Sequence, residues 1–261
     1  MNLTFETRRK QKISKIKNEV KVNIDYDSIR EDDIYGFYLT NRTNKSKSKE
    51  LPEIGNFVTD FPKYFVLESE VGLYKKDGAC VCWYRDDSYF DTIDGLYNAI
   101  IYKDVPLLKY YKDRYQNVKF FAAPDYSLYG DFDEETLAHN LKKAAVVYLW
   151  LINELDAIVF PNFTYGNSKS LNWCFEHIML GSNVVMSLKG VMRGENKTEF
   201  LEALKVFVDT RKPKNILVYT TSYEESAFKM LEYATSKGVR VMILQNTMQI
   251  RNTGGVRNGK D

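Results

Sequence analysis

Six short apolar runs, at residues 79–84, 119–123, 157–160, 183–187, 215–219 and 240–244, recur along the chain with segments of helical length between them. Each is four to six residues long and rich in β-branched or aromatic side chains, so it reads as a strand buried on both faces rather than one with a wet side. In the intervening segments, Leu137, Leu141, Ala144, Ala145, Tyr148, Leu149 and Ile152 keep one apolar stripe, and Phe200, Leu201, Leu204, Phe207 and Val208 keep another. Buried strands joined by helical crossovers call for a mostly parallel sheet, because right-handed βαβ units place the helices on its faces. The fold class is therefore α/β, a six-strand, mostly parallel β/α repeat. Almost every run exits into polar residues, and ligands collect at the C-terminal ends of parallel strands. An open sheet concentrates functional groups at its switch point only, so an incomplete or TIM-like barrel is favoured over an open doubly wound sheet.

Local signals divide the chain further. Residues 64–67 and 79–84 bracket a connection containing Lys75-Lys76-Asp77-Gly78 and read as a hairpin. Ser168 is placed to cap a helix over 171–178 that stops at Gly181; Ser222 with Glu224-Glu225 opens another, and Gly238 closes it. The polar stretch 41–50 separates an N-terminal extension, residues 1–60, from a β/α domain, residues 61–248. The tail, residues 249–261, has no apolar period and is expected to be disordered.

With 44% hydrophobic residues in 261, the chain can fill a full core. Its 37 basic and 35 acidic side chains nearly cancel, so any pull toward nucleic acid must be local. Arg8, Arg9, Lys10 and Lys12, with Lys15 and Lys17, form such a cluster, able to touch phosphates or simply to face solvent. No apolar run is long enough for a membrane helix, and no apolar stretch follows the basic N-terminus, so a cytoplasmic protein without a membrane partner is expected. Cys80 and Cys82 share one face of a strand and read as buried small hydrophobes; with Cys174, His139 and His177 they do not make a zinc set. GxxxxGK[ST] and GxGxxG are absent, and Lys189-Gly190 is only a faint echo of a phosphate loop. Ser127, Ser187 and Ser222 lack an evident base.

Two strand exits are alike. Pro124-Asp125-Tyr126-Ser127-Leu128-Tyr129 follows one run, and Pro161-Asn162-Phe163-Thr164-Tyr165-Gly166 follows the next. Together with Tyr84-Arg85-Asp86-Asp87, the stretch from Ser170 to Phe175 and that from Val184 to Gly190, they resemble a family of bacterial, phage and mobile-element proteins known as a domain of unknown function. The resemblance covers about residues 64–222 and carries no established activity; it implies a phage or mobile-element context. The chain departs from that pattern at Phe163 and Tyr165, where a tryptophan is expected, and at Gly130, where a basic residue is common.

The exits define a candidate ligand mouth: Asp86, Asp87, Asp125, Tyr126, Ser127, Tyr129, Asn162, Thr164, Tyr165 and Ser187. Asp87 and Asp125 with Asn162 are oxygen-rich, which suits Mg²⁺. The same two carboxylates could flank a glycosidic bond, with the aromatic residues stacking on sugars or bases. The plainer alternative is that Asp125 caps its own loop and that Asp86 and Asp87 cap the following helix. Since no complete catalytic set is visible, the expected role is an accessory protein that binds host or phage proteins, as in host takeover, counter-defence or immune sensing. The alternative is a metal-dependent enzyme or ligand-binding protein acting on a phosphorylated or nucleotide-like substrate at the mouth.

Overall fold

A computed structural model describes residues 36–252, apart from residues 42 and 75. The N-terminal arm with Arg8, Arg9, Lys10 and Lys12, and residues 253–261, lie outside the described residues. In chain order the elements are α1 (Phe37–Thr40), β1 (Tyr64–Leu67), β2 (Ala79–Cys82), α2 (Leu96–Ile101), α3 (Val105–Tyr115), β3 (Phe120–Ala122), α4 (Glu134–Leu155), β4 (Ile158–Phe160), β5 (Val184–Ser187), α5 (Gly194–Arg211), β6 (Asn215–Tyr219), α6 (Glu224–Met230), α7 (Glu232–Ser236), β7 (Arg240–Ile243), β8 (Gln245–Asn246) and α8 (Thr247–Asn252). All six apolar runs form strands. They lie in two wholly parallel sheets, one of five strands in the order β4-β3-β2-β1-β8 and one of three in the order β5-β6-β7.

Three local expectations are corrected. Residues 64–67 and 79–84 do not form a hairpin: Tyr64 pairs with Ala79 and Leu67 with Cys82 in parallel. The connection contains a 3₁₀ turn, Glu68–Leu73, that carries the chain back so that both strands point the same way. The helix expected over 171–178 is only a 3₁₀ turn, Ser170–Asn172. There the Ser170 hydroxyl accepts from the backbone N–H of Gly166 and Asn167, and Asn167 Oδ1 accepts from Ser170 N, so side-chain bonds fix a tight turn at this point. Finally, order does not stop at 248, because Ile250 on α8 is buried in the core.

Other boundaries follow their local chemistry. Asp133 caps α4 by accepting from Thr136 N at 2.7 Å, and Asp104 caps α3 through Leu107 N at 3.1 Å with Pro106 in the first turn. Gly238, at φ 82°, occupies the left-handed position that lets the chain turn from α7 into β7. On α4 Leu137, Leu141, Ala144, Ala145 and Tyr148 are buried and Leu149 and Ile152 partly so, whereas Leu201 on α5 faces solvent and Ala203 takes its place in the core.

Burial falls into three clusters. One packs α2, α3 and α4 on the outer side of β1 to β4, with Val66, Val81, Phe121 and Val159 contributed by the strands. A second packs α5, α6 and α7 on β5 and β6. The third contains Phe65, Cys80, Cys82, Tyr84, Phe120, Phe160, Val185, Leu217 and Tyr219, drawn from strands of both sheets and their exits, with no residue from a helix. At the N-terminal ends of the strands a buried amide network closes this third cluster. Asn183 donates to Asn56 Oδ1 (3.1 Å) and to the Val58 carbonyl (2.9 Å), and accepts from Asn215 Nδ2 (2.6 Å).

Candidate functional site

At the opposite ends of the strands lies a cleft of about 590 Å³. Its floor and walls come from the exits of β2, β3, β4 and β5 and from the first turns of α5. The candidates Asp86, Asp125, Tyr126, Ser127, Tyr129, Thr164, Tyr165 and Ser187 all line it. Asn162 stands just behind the floor, buried to 5% exposure, and Asp87 is not among the walls.

Asp125 is the centre of the arrangement. Its Oδ1 accepts from Asn162 Nδ2 at 2.9 Å and from the Thr164 hydroxyl at 3.3 Å. Asn162 Oδ1 in turn accepts from the Tyr84 hydroxyl at 3.0 Å. Asp125 therefore does not cap its own loop, as the plainer sequence reading had it; its side chain is held by the neighbouring strand exit. Although part of the residue meets the cleft, its carboxyl is densely enclosed, and this loss of water pushes its pKa up to about 7. The Asp87 charge adds to the rise, while the Thr164 and Asn162 hydrogen bonds oppose it.

The two other acids have supporting places. Asp86 caps the 3₁₀ turn Asp87–Tyr89 by accepting from Ser88 N at 3.0 Å, as its position suggested. Asp87 Oδ2 accepts from Ser127 N at 3.0 Å and so braces the loop that follows Asp125. Its other oxygen is buried with no hydrogen-bond partner, and burial raises its pKa. The two carboxylates consequently do not face each other across the cleft, which removes the glycosidase geometry. Among the described residues no group of three or more His, Cys, Asp or Glu is arranged to hold a metal ion. The carboxylates that line the cleft are Asp86, Asp125 and Glu199, and Asp86 is engaged as the cap of its 3₁₀ turn.

The aromatic residues divide by role. Tyr126 is buried, with its ring 5.4 Å from Phe90 and the Lys143 ammonium 4.2 Å from its centre. Tyr129 is 55% exposed at the rim. Phe163 stacks on Phe175 at 5.2 Å and meets Phe200 and Phe207 edge-on, and Tyr165 leans on it at 5.5 Å. Ser187 accepts from Lys189 N at 3.1 Å and shapes the β5 exit. Sequence reasoning missed Tyr84 as a hydrogen-bonding group, and it missed Arg85, Lys189, Asn196 and Glu199 as walls. Arg85 and Lys189 were visible at strand exits; Asn196 and Glu199 enter from a helix and carry no such signal. His139 is exposed with its ring against Tyr97, and His177 is buried with its pKa lowered to about 4, neither of them in the cleft.

These features define an α/β protein of parallel strands with a polar cleft at their C-terminal ends. The chain belongs to the family described as Domain of unknown function (DUF4417), whose family model matches residues 50–235. No curated protein and no solved structure matches it. Among the described residues no helix is long and apolar enough to cross a membrane.

Proposed function

We propose that the strands of both sheets form one seven-membered β/α ring, and that its mouth binds a small phosphorylated or nucleotide-like molecule to which Asp125 gives, or from which it takes, a proton. Two seams support the ring. Phe163 N donates to the Val185 carbonyl and Val185 N to the Pro161 carbonyl, both at 2.9 Å, so the β4 exit pairs with β5. On the other side β7 pairs with β6 and runs through Leu244 directly into β8, which pairs with β1. A helix-free core shared by both sheets is what the interior of such a ring contains.

The observation that carries the functional reading is Asp125. A carboxyl that titrates near neutral pH at the floor of an open cleft is poised for proton transfer, whereas a structural cap gains nothing from a raised pKa. Lys189 and Arg85 at the rim supply positive charge for an anionic group, and Tyr129 and Tyr165 offer ring faces. Calorimetric titration of nucleotides and sugar phosphates into the wild type, Lys189→Ala and Asp125→Asn tests this. Binding that weakens at least tenfold in Lys189→Ala and loses its pH dependence in Asp125→Asn is expected. No binding at millimolar ligand in the wild type would end the reading.

A partner-binding role is the second reading. Met192, Leu201 and Tyr223, the last 87% exposed, surround a separate groove of about 950 Å³ with Arg193, Lys197 and Lys229 at its edge. Glu224 and Glu232 line it as well, so its charge is mixed and the surface suits a host or phage protein with apolar anchors. Capture of the same protein from host lysate by the wild type but not by Tyr223→Ala would support it.

A further inference from the structure

We infer that Tyr84 and Asn162 are a positioning pair: they dedicate Oδ1 of Asp125 to the protein and leave Oδ2 as the oxygen that exchanges a proton with the occupant of the cleft. The inference rests on the reading of Asp125 as a proton-transfer group. An amide has one acceptor atom and one donor group. The Tyr84 hydroxyl donates to the Asn162 oxygen at 3.0 Å, which turns the amide nitrogen toward Asp125, where it lies 2.9 Å from Oδ1. That nitrogen can only donate, so Oδ1 must accept in either ionisation state. The Thr164 hydroxyl points at the same oxygen. A proton on the neutral acid therefore belongs to Oδ2.

The anchor of the pair is fixed by packing. The Tyr84 ring lies 5.0 Å from that of Tyr219 and 6.3 Å from that of Phe65, inside the core shared by both sheets. Burial holds its hydroxyl in the neutral, donating form. In the forward step the Oδ2–H bond breaks and its electron pair stays on the carboxylate. The proton passes to an acceptor on the ligand, such as a ring nitrogen or a leaving oxygen, and the Asn162 and Thr164 donors stabilise the charge left behind. The reverse step takes a proton from the ligand onto Oδ2. The other titratable groups near Asp125 are Cys82 below it, Asp87 behind its loop, Arg85 and Asp86 at the β2 exit, Lys189 after β5, Glu199 on α5, and the wall tyrosines. Among them Asp87 acts through its charge on Asp125 directly.

Carboxyl ¹³C NMR titration of Asp125 in the whole protein, without ligand, tests the pair. Tyr84→Phe frees the amide to turn its oxygen toward the neutral acid. The Asp125 midpoint should then rise by about half a pH unit, a threefold change in ionisation constant. Asn162→Ala should raise it as well, and in that background Tyr84→Phe should add nothing. An unchanged midpoint in Tyr84→Phe, or an equal shift with and without Asn162, overturns the inference. The Asn162 side-chain amide of the wild type gives a second measurement that needs no variant: its N–H signals should remain slow to exchange on both sides of the Asp125 midpoint. Fast exchange on the acid side would mean that the amide turns and Oδ1 is not dedicated. If these outcomes are met and no ligand in the panel binds, the functional reading fails while the pair stands. If a ligand binds and the two variants prove additive, the reverse holds.

Discussion

Replacing Asp125 with asparagine should leave the protein increasingly more stable than the wild type as pH rises. The carboxyl titrates at about 7 in the folded chain against an ordinary value of 3.8, so the folded state holds the proton more tightly than the unfolded one. Stability from this group is complete below about pH 4 and is lost as pH climbs through the folded value. The gap of about three pH units, at roughly 1.4 kcal/mol each, makes the loss about 4 kcal/mol at most. Asparagine cannot ionise, keeps an oxygen for Asn162 and Thr164, and places an amide nitrogen where Oδ2 stands. The difference in unfolding free energy between Asp125→Asn and wild type should widen by about 3 kcal/mol from pH 5 to pH 8 and then level off. Urea unfolding at pH 5, 6, 7 and 8 measures it, because the other titrating groups are common to both proteins and cancel, apart from Asp87, whose charge couples to that of Asp125. A difference that stays constant over this range, or narrows, would show a carboxyl in free contact with water and would remove the chemical argument for the cleft.

Lys143, buried on α4, pairs with Asp91 and lies over Tyr126; Lys143→Met should cost roughly 2 to 4 kcal/mol in urea unfolding, and Asp91→Asn in that background should restore part of it. Asn183→Ala removes the partner of the Asn215 amide and of the Val58 carbonyl, while Asn56 keeps its bonds to Val58 N and the Val159 carbonyl; it should cost roughly 2 to 3 kcal/mol, seen as a lower urea midpoint with an unchanged slope. Cys80 and Cys82 are fully buried and burial raises both thiol pKa values, so a thiol reagent at pH 8 should label them only as fast as the protein unfolds, and prompt labelling would contradict their place in the core. Hydrogen exchange at Phe163 and Val185 should be as slow as at Val81 and Leu217 in the strand centres, while fast exchange there would open the ring at the β4–β5 seam.

The fold was legible where one signal dominated. Unbroken apolar runs such as 215–219 identified buried parallel strands, and the spacing of Leu137, Leu141, Ala144 and Tyr148 identified α4. The reading failed where short-range alternatives compete. Lys75-Lys76-Asp77-Gly78 looks like a hairpin turn, but direction is set by where β1 and β2 pack rather than by the turn residues. Ser170 and Asn167 fix a tight turn through bonds to the backbone N–H groups of residues 167 and 170, which periodicity does not register. For the site, Asp125, Asn162 and Thr164 were found because strand exits can be counted along the chain. Their mutual contacts, and the retreat of Asp87 from the cleft, depend on packing between elements forty residues apart.

The same alternation that builds the core also explains why Asp125 is perturbed. Residues 80, 82 and 84, residues 158 and 160, and residues 185, 217 and 219 point into the core shared by both sheets. Continued past the strand ends, the alternation brings in Asn162 and Ser187, the first polar residues above an apolar stack of Cys82, Ala122 and Phe160. Pro124 and Pro161 carry no N–H, so neither can extend the ladder as a donor at these exits. Beyond Pro124 the chain leaves the strand path, and Asp125 comes to rest on that polar layer rather than in solvent. Below that polar layer lie hydrocarbon, sulfur and ring. A carboxylate set there is poorly hydrated, and two neutral donors on one oxygen do not replace what water would supply. The raised pKa is thus a consequence of closing a strand-built core with its first polar layer. By the same argument, Ala122→Ser, which adds a hydroxyl to the layer below, should lower the Asp125 midpoint without touching any residue of the cleft wall.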